Sequence, residues 1–173
     1  MFFNIAKNIT LVVLNNHKMS KILLSTIYIT LLYSFVYTDV YKETDKEKIN
    51  QLIDKWHNDV ANYDLEAYFN FMDSSFVFLG TAPGEYWTKN EFYVFCKPYF
   101  DKKSTWNFTP KKRHVYINGN TAWFDENLDT WMEGCRGTGV LNLKGGNWKL
   151  LHYNLTVLIE NEKMKKFIKL RKR

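Results

Sequence analysis

The sequence predicts an α+β fold, and three observations carry the prediction. Apolar residues recur at helical spacing through residues 44–102, with one short strand-like run among them. From Trp106 onward the pattern switches to period two, and glycine-bearing hairpin signals divide that second half into paired strands. The expected architecture is a curved antiparallel sheet covered on one face by about three N-terminal helices.

The elements follow in chain order. Residues 22–38, ILLSTIYITLLYSFVYT, carry no charge and follow Lys18 and Lys21. With Met19 as an alternative start, they form the basic and apolar regions of a signal peptide, or an uncleaved anchor near the lower length limit for a bilayer span. Residues 1–41 are thus a targeting segment plus spacer. The chain is expected to be exported (periplasmic or secreted) or membrane-anchored, with a cytoplasmic location as the alternative. Asn-x-Ser/Thr sequons occur at Asn8, Asn107 and Asn154, but strand-like surroundings argue against use of the last two.

Thr44 and Glu47 match a capping box, and Ile49, Leu52, Ile53, Trp56 and Val60 form one buried helical face. His57 lies on its edge, where a packed histidine is expected. Asp64 caps a second short helix with Leu65, Tyr68, Phe69 and Met72 inward. SSFVFLGT is a strand, closed by the glycine-rich loop GTAPGEYW. Thr88 and Glu91 open a third helix running to about Lys102, with Phe92, Phe95, Cys96 and Tyr99 buried and Pro98 bending or ending it. Four strands follow at roughly 106–117, 120–132, 135–144 and 147–159. A type I′ signal at Asn118-Gly119, the MEGC link and Gly145-Gly146-Asn147 join them.

The length of 173 residues fits one folded domain, placed at 42–160, and an aromatic share of 17% favours a packed interior or a pocket over disorder. The net charge of +6 belongs to the C-terminus. Residues 163–173, KMKKFIKLRKR, hold seven basic residues and no acid, which leaves the remainder near −1. Such basicity marks a tail, residues 161–173, and no nucleic acid is expected as a partner; no zinc-finger spacing, helix-turn-helix cue or phosphate loop accompanies it. Met164, Phe167 and Ile168 share one side of that basic helix, which suits membrane contact or capping of the domain. Cys96 and Cys135 lack CxxC or CxxH context, so the expected metal set is none, and both read as small buried apolar residues. No cofactor is indicated.

The same residues carry a resemblance. GTAPGEYW (80–87), WFDENLDTW (123–131) and, most specifically, Gly146, Trp148, Lys149, His152, Leu155 and Thr156 resemble the SnoaL-like branch of the NTF2-like superfamily over about residues 45–160. The resemblance implies a conical α+β fold whose sheet and helices enclose a pocket, with homodimers formed through the outer sheet face. It does not imply one activity, because isomerases, dehydratases, polyketide cyclases and pure binding or assembly domains share the fold. The histidine and aspartate pair of the cyclases has no matching local motif here.

Alternation separates strand 120–132 into Trp123, Asp125, Asn127, Asp129 and Trp131 on one face and Ala122, Phe124, Glu126, Leu128, Thr130 and Met132 on the other. Adjacent Asp125 and Glu126 therefore face opposite ways. Hydrophobicity alone turns the second set inward. The pocket implied by the resemblance favours the first, with two tryptophans framing Asp125, and leaves Phe124, Leu128, Met132 and Val140 for a dimer interface. Tyr153 is expected inward on the last strand, and Gly137 and Gly139 to leave room for a ligand.

A carboxylate desolvated in an aromatic pocket has a raised pKa and can act as general base or acid. The candidate catalytic residues are Asp125, as base, and Tyr153, as donor to an oxyanion. The candidate ligand-binding residues are Trp56, Phe78, Glu85, Trp87, Phe92, Arg113, Trp123, Glu126, Asp129, Arg136 and Leu155. Glu85 and Trp87 stand at the mouth, while Arg113 or Arg136 pairs the acid or holds an anion. No spacing supports a hydrolytic nucleophile. The expected function is binding of a small apolar or aromatic ligand. The alternatives are an acid/base isomerase, cyclase or dehydratase, and a dimeric scaffold or membrane-associated module without ligand.

Overall fold

The computed structural model describes Tyr28 and residues 44–172. The leader or anchor at 22–38 (Tyr28 apart), the start at Met19 and the Asn8 sequon lie outside the described residues. Among the described residues, no helix is long and apolar enough to cross a membrane. The chain divides into Met1–Thr44 and Asp45–Arg173, and the fold belongs to the second unit.

Helix α1 is helical through residues 44–61, and Ile49, Ile53, Trp56 and Val60 recur along it at steps of four, three and four, all buried. Asp64 then caps α2 (Leu65–Asn70), accepting from the Ala67 amide at 2.9 Å, and α2 buries Tyr68 and Phe69. Strand β1 (Met72–Leu79) begins with a bulge, where Met72 pairs with Leu150 but Val77 already pairs with His152. The Asp73 carboxylate fixes this irregular stretch by accepting from the Ser75 amide at 3.0 Å and from Lys144 at 2.7 Å.

Strand β2 (Tyr86–Thr88) pairs antiparallel with the end of β1, where only a loop was expected. Helix α3 (Lys89–Asp101) opens with the expected capping box: the Thr88 hydroxyl accepts from the Glu91 amide, and the Glu91 carboxylate accepts from the Thr88 amide at 2.8 Å. Pro98 does not end it. The carbonyl the proline leaves without an amide partner is that of exposed Val94, so the lost bond falls on the solvent side. Phe92, Cys96 and Phe100 form the buried face; Phe95 and Tyr99, expected there, line a cavity instead.

The meander comprises β3 (Thr109–Asn118), β4 (Thr121–Thr130), β5 (Glu133–Lys144) and β6 (Asn147–Val157). Strand order in the curved, unclosed sheet is β2-β1-β6-β5-β4-β3. Five strands were expected to run wholly antiparallel, but β1 and β6 pair in parallel, because the whole meander separates them and brings them side by side in the same direction. Between β3 and β4 only Gly119 has positive φ, at 56°, which is the type II′ pattern rather than the expected I′. Gly145 and Gly146 are both positive, at 55° and 77°, as a I′ turn requires.

The core lies between the helices and the inner sheet face. Trp56 stacks on Tyr68 at 5.1 Å and meets the Tyr153 ring edge-on at 4.9 Å, while Phe78 stacks on Phe92 at 4.2 Å. Both cysteines are buried and free. After a 3-10 turn (Asn161–Lys163), helix α4 (Met164–Arg171) buries none of its residues.

Candidate functional site

Strand β4 decides what the interior contains. Ala122, Phe124, Glu126 and Leu128 are buried, while Trp123, Asn127 and Asp129 are exposed. The side hydrophobicity selects has won, since turning Phe124 and Leu128 outward would return two large apolar side chains to water. This corrects the expectation for Asp125. It lies on the outer face, partly exposed, with its carboxylate 3.0 Å from His114 Nδ1. Trp123 stacks on Tyr116 on that same face at 5.6 Å, and Arg136 is exposed there too. Phe124 and Leu128 are core, so neither is available to an outer interface.

Glu126 has no exposed surface, and its burial is tolerated because every lone-pair direction has a donor. Oε1 lies 2.7 Å from His57 Nε2 and accepts from the Tyr153 hydroxyl at 3.0 Å. Oε2 accepts from Arg113 Nε at 2.9 Å and Nη2 at 2.8 Å. Arg113 also donates from Nη1 to Asp54 at 2.7 Å and to the Asn50 carbonyl at 3.2 Å, tying β3 to α1. Burial pushes the Glu126 pKa up, but the hydrogen bonds and charges of His57 and Arg113 outweigh it, and the carboxyl sits below its ordinary value. An ionised carboxylate only accepts, so His57 Nε2 carries a proton. Burial, and then Glu126, raise the Tyr153 hydroxyl, which therefore stays protonated and donates to the carboxylate.

The space expected above the glycines is filled by this cluster. A Cβ at Gly137 would collide with the Tyr153 hydroxyl and lie 2.9 Å from Glu126 Oε1; one at Gly139 would collide with the Phe124 ring. Glycine is needed at both positions for close approach, not for a ligand. Sequence reasoning placed His57 as a packed histidine, which it is, but missed its pairing with Glu126, and it missed Asn50 and Asp54. The available signal was indirect: an inward Glu126 demands buried donors, and His57 borders the α1 stripe that faces the sheet.

A cavity of about 790 Å³ opens elsewhere on the domain. Its lining is mostly aromatic and apolar: Phe78, Trp87, Phe92, Phe95, Tyr99, Trp106, Phe108, Trp131, Met132 and Leu155, with Glu85 and Asp129 as its charged groups. Of the residues expected to bind ligand, Phe78, Glu85, Trp87, Phe92, Asp129 and Leu155 line it. Trp56, Arg113 and Glu126 do not, nor does the catalytic candidate Tyr153, and Trp123 and Arg136 face the other side of the sheet. Two rings connect cavity and cluster: Phe78 packs 5.9 Å from the Tyr153 ring, and Phe108 5.8 Å edge-on to His57. A smaller cavity of about 260 Å³ shares Asn107, Phe108 and Thr109 with the larger one and is bordered by His57 and Asp54. Asn107 thus sits in a loop between cavities, not in the expected strand. Among the described residues, no group of three or more His, Cys, Asp or Glu is placed to hold a metal.

Residues 49–160 match the SnoaL-like domain family. The chain belongs to that family. Among curated proteins, none matches it. In fold, the SnoaL-like domain is similar to an NTF2-like protein of unknown function from Pseudomonas putida KT2440, with 17% identity, 68% of this chain and 89% of that one covered, and a TM-score of 0.58. It is also similar to an NTF2-like protein from Cytophaga hutchinsonii, with 18% identity, coverage of 65% and 98%, and a TM-score of 0.56. A third likeness is to an NTF2-like protein with a cystatin-like fold from Novosphingobium aromaticivorans, with 10% identity, coverage of 76% and 93%, and a TM-score of 0.61. At these identities the SnoaL-like domain shares their fold and nothing further is transferred.

Proposed function

We propose that this SnoaL-like domain is a binding module for a small aromatic or apolar molecule, held in the 790 Å³ cavity. The observation that carries the reading is the lining: stacked rings in its wall, with Trp87 on Phe95 at 4.6 Å, and a volume in the range of small-molecule sites. The charge of the lining narrows the ligand class. Glu85 and Asp129 are its charged members, Asp129 already paired with Lys111 at 2.7 Å, and no Lys, Arg or His appears among the described lining residues, so Glu85 tilts the site toward neutral or cationic ligands over carboxylates. The buried cluster argues against turnover, since Glu126 has no lone pair left to take a proton and does not line the cavity.

The test is a tryptophan-fluorescence titration with three naphthalenes bearing an alcohol, an ammonium or a carboxylate. The expected order is ammonium and alcohol well ahead of carboxylate, with Trp87→Ala weakening binding by about 1–2 kcal/mol. Saturable binding of the carboxylate alone, or of none, rejects the reading. A second reading rests on the 2.7 Å His57–Glu126 contact, a histidine–carboxylate pair of the kind acid/base enzymes use. On that reading His57→Ala abolishes turnover of a bound ligand while leaving its affinity. We extend the proposal to a homodimer through the outer sheet face, supported by the exposed Tyr116–Trp123 stack; sedimentation of Trp123→Ala against the parent tests it.

A further inference from the structure

We propose that helix α4 docks the protein onto an anionic lipid surface. The helix lies outside the core: none of its residues is buried, and Met164, Ile168 and Leu170 are 37%, 45% and 60% exposed. At 100° per residue, Met164, Phe167 and Ile168 share one side with Leu170 flanking them, while Lys165, Lys166, Lys169 and Lys172 occupy the other. Arg171 falls within the apolar arc, and its guanidinium lies 5.8 Å over the Phe167 ring, so the charge rides on an aromatic face and its stem can lie along apolar surface.

Charge complementarity identifies the occupant. Residues 163–173 carry seven basic side chains and no acid, against 17 basic and 18 acidic residues in the rest of the chain. The chain's excess of positive charge is therefore carried by the segment that also exposes an apolar arc. A nucleic acid would use the charges and leave Met164, Ile168 and Leu170 in water. An acidic protein groove would need the apolar arc enclosed, which leaves the lysines on the far side without partners. An anionic bilayer uses both faces, the apolar arc entering the headgroup boundary and the lysines meeting lipid phosphates and carboxylates.

The test uses the full chain and vesicles of phosphatidylcholine with or without phosphatidylserine, followed by co-sedimentation at low and high salt. The quantity read is the increment in binding that phosphatidylserine adds, which separates charge-dependent docking from any charge-independent insertion by the apolar segment 22–38. The triple variant K165E/K166E/K169E is expected to lose that increment at least about tenfold, and high salt to remove it from the parent. I168S/L170S is expected to reduce it severalfold with the charges intact. Neither variant should change the melting temperature, because the substituted side chains are not in the core. A phosphatidylserine increment unchanged in the charge variant assigns membrane binding elsewhere and overturns the proposal. So does its absence in the parent, or loss with charge but not with the apolar substitutions, which is the signature of a polyanion site. A short DNA duplex that displaces the parent from vesicles at equal phosphate also overturns it.

Discussion

At the scale of single residues, Glu126 governs what the core tolerates. Glu126→Gln keeps the side-chain shape but leaves Arg113, whose side chain is 7% exposed, without its buried counter-ion. Removing one partner of such a pair costs about 3 kcal/mol, readable as a fall in the urea midpoint at neutral pH. The pH dependence has a definite sign. The carboxyl is held below its ordinary value of 4.5, so its contribution is present in full above that pH and is lost as pH falls through the lower folded value. The parent should therefore lose stability on acidification over that window, and Glu126→Gln should flatten the profile there. The residue scale is also where sequence reading was half successful. Alternation established that Asp125 and Glu126 face opposite ways, and the apolar content of Phe124 and Leu128 already pointed inward. The pocket geometry implied by the family resemblance pulled the expectation the other way. The carboxylate that entered did so because four donors from α1, β3 and β6 await it, and donors spread over three elements leave no local spacing to read.

At the scale of elements, local chemistry was legible where it is complete within a few residues. Both halves of the Thr88–Glu91 capping box are formed, and Thr88→Ala should cost about 1 kcal/mol with the loss concentrated at the start of α3. Amide exchange should show it: Glu91 and its neighbours in the first turn exchange faster, while amides of the β5–β6 ladder keep their relative protection. The positions of the glycine turns (though not the type at Gly119), the Asp64 cap and the amphipathic face of α1 were readable for the same reason. Strand β2 was not, because three residues are too few to show a period. Nor was the parallel β1–β6 seam, since alternation tells which face a strand buries but not which neighbour it chooses.

At the scale of the whole molecule, the fold class followed from the order of helical and period-two segments, whereas a pocket was expected only from the family resemblance. Its walls come from β1, β2 and the loop between them, α3, the loop at 104–108, the start of β3, the end of β4 with the β4–β5 turn, and Leu155 of β6, and Phe95 and Tyr99 line it although helical spacing placed them in the core. The core itself is closed, which gives a chemical prediction. Cys96 and Cys135 have no exposed surface, and burial raises the Cys96 thiol far above its ordinary range. Neither thiol should react with an aromatic disulfide reagent under native conditions. Both should react together on unfolding, with the same denaturant midpoint as the loss of tryptophan fluorescence; reaction of one thiol well before that midpoint would mean that part of the core opens on its own.

The four-way junction at Glu126 also has a kinetic consequence. Its partners His57, Arg113 and Tyr153 lie 69, 13 and 27 residues away along the chain, so the junction closes only once a helix and three strands have docked. A charged carboxylate gains nothing from partial assembly, because desolvation precedes the last donor's arrival. The interaction belongs on the native side of the folding barrier. Stopped-flow chevrons of Glu126→Gln should therefore show faster unfolding with an almost unaltered refolding limb, and the junction would act as a latch on native lifetime rather than as a guide to the fold.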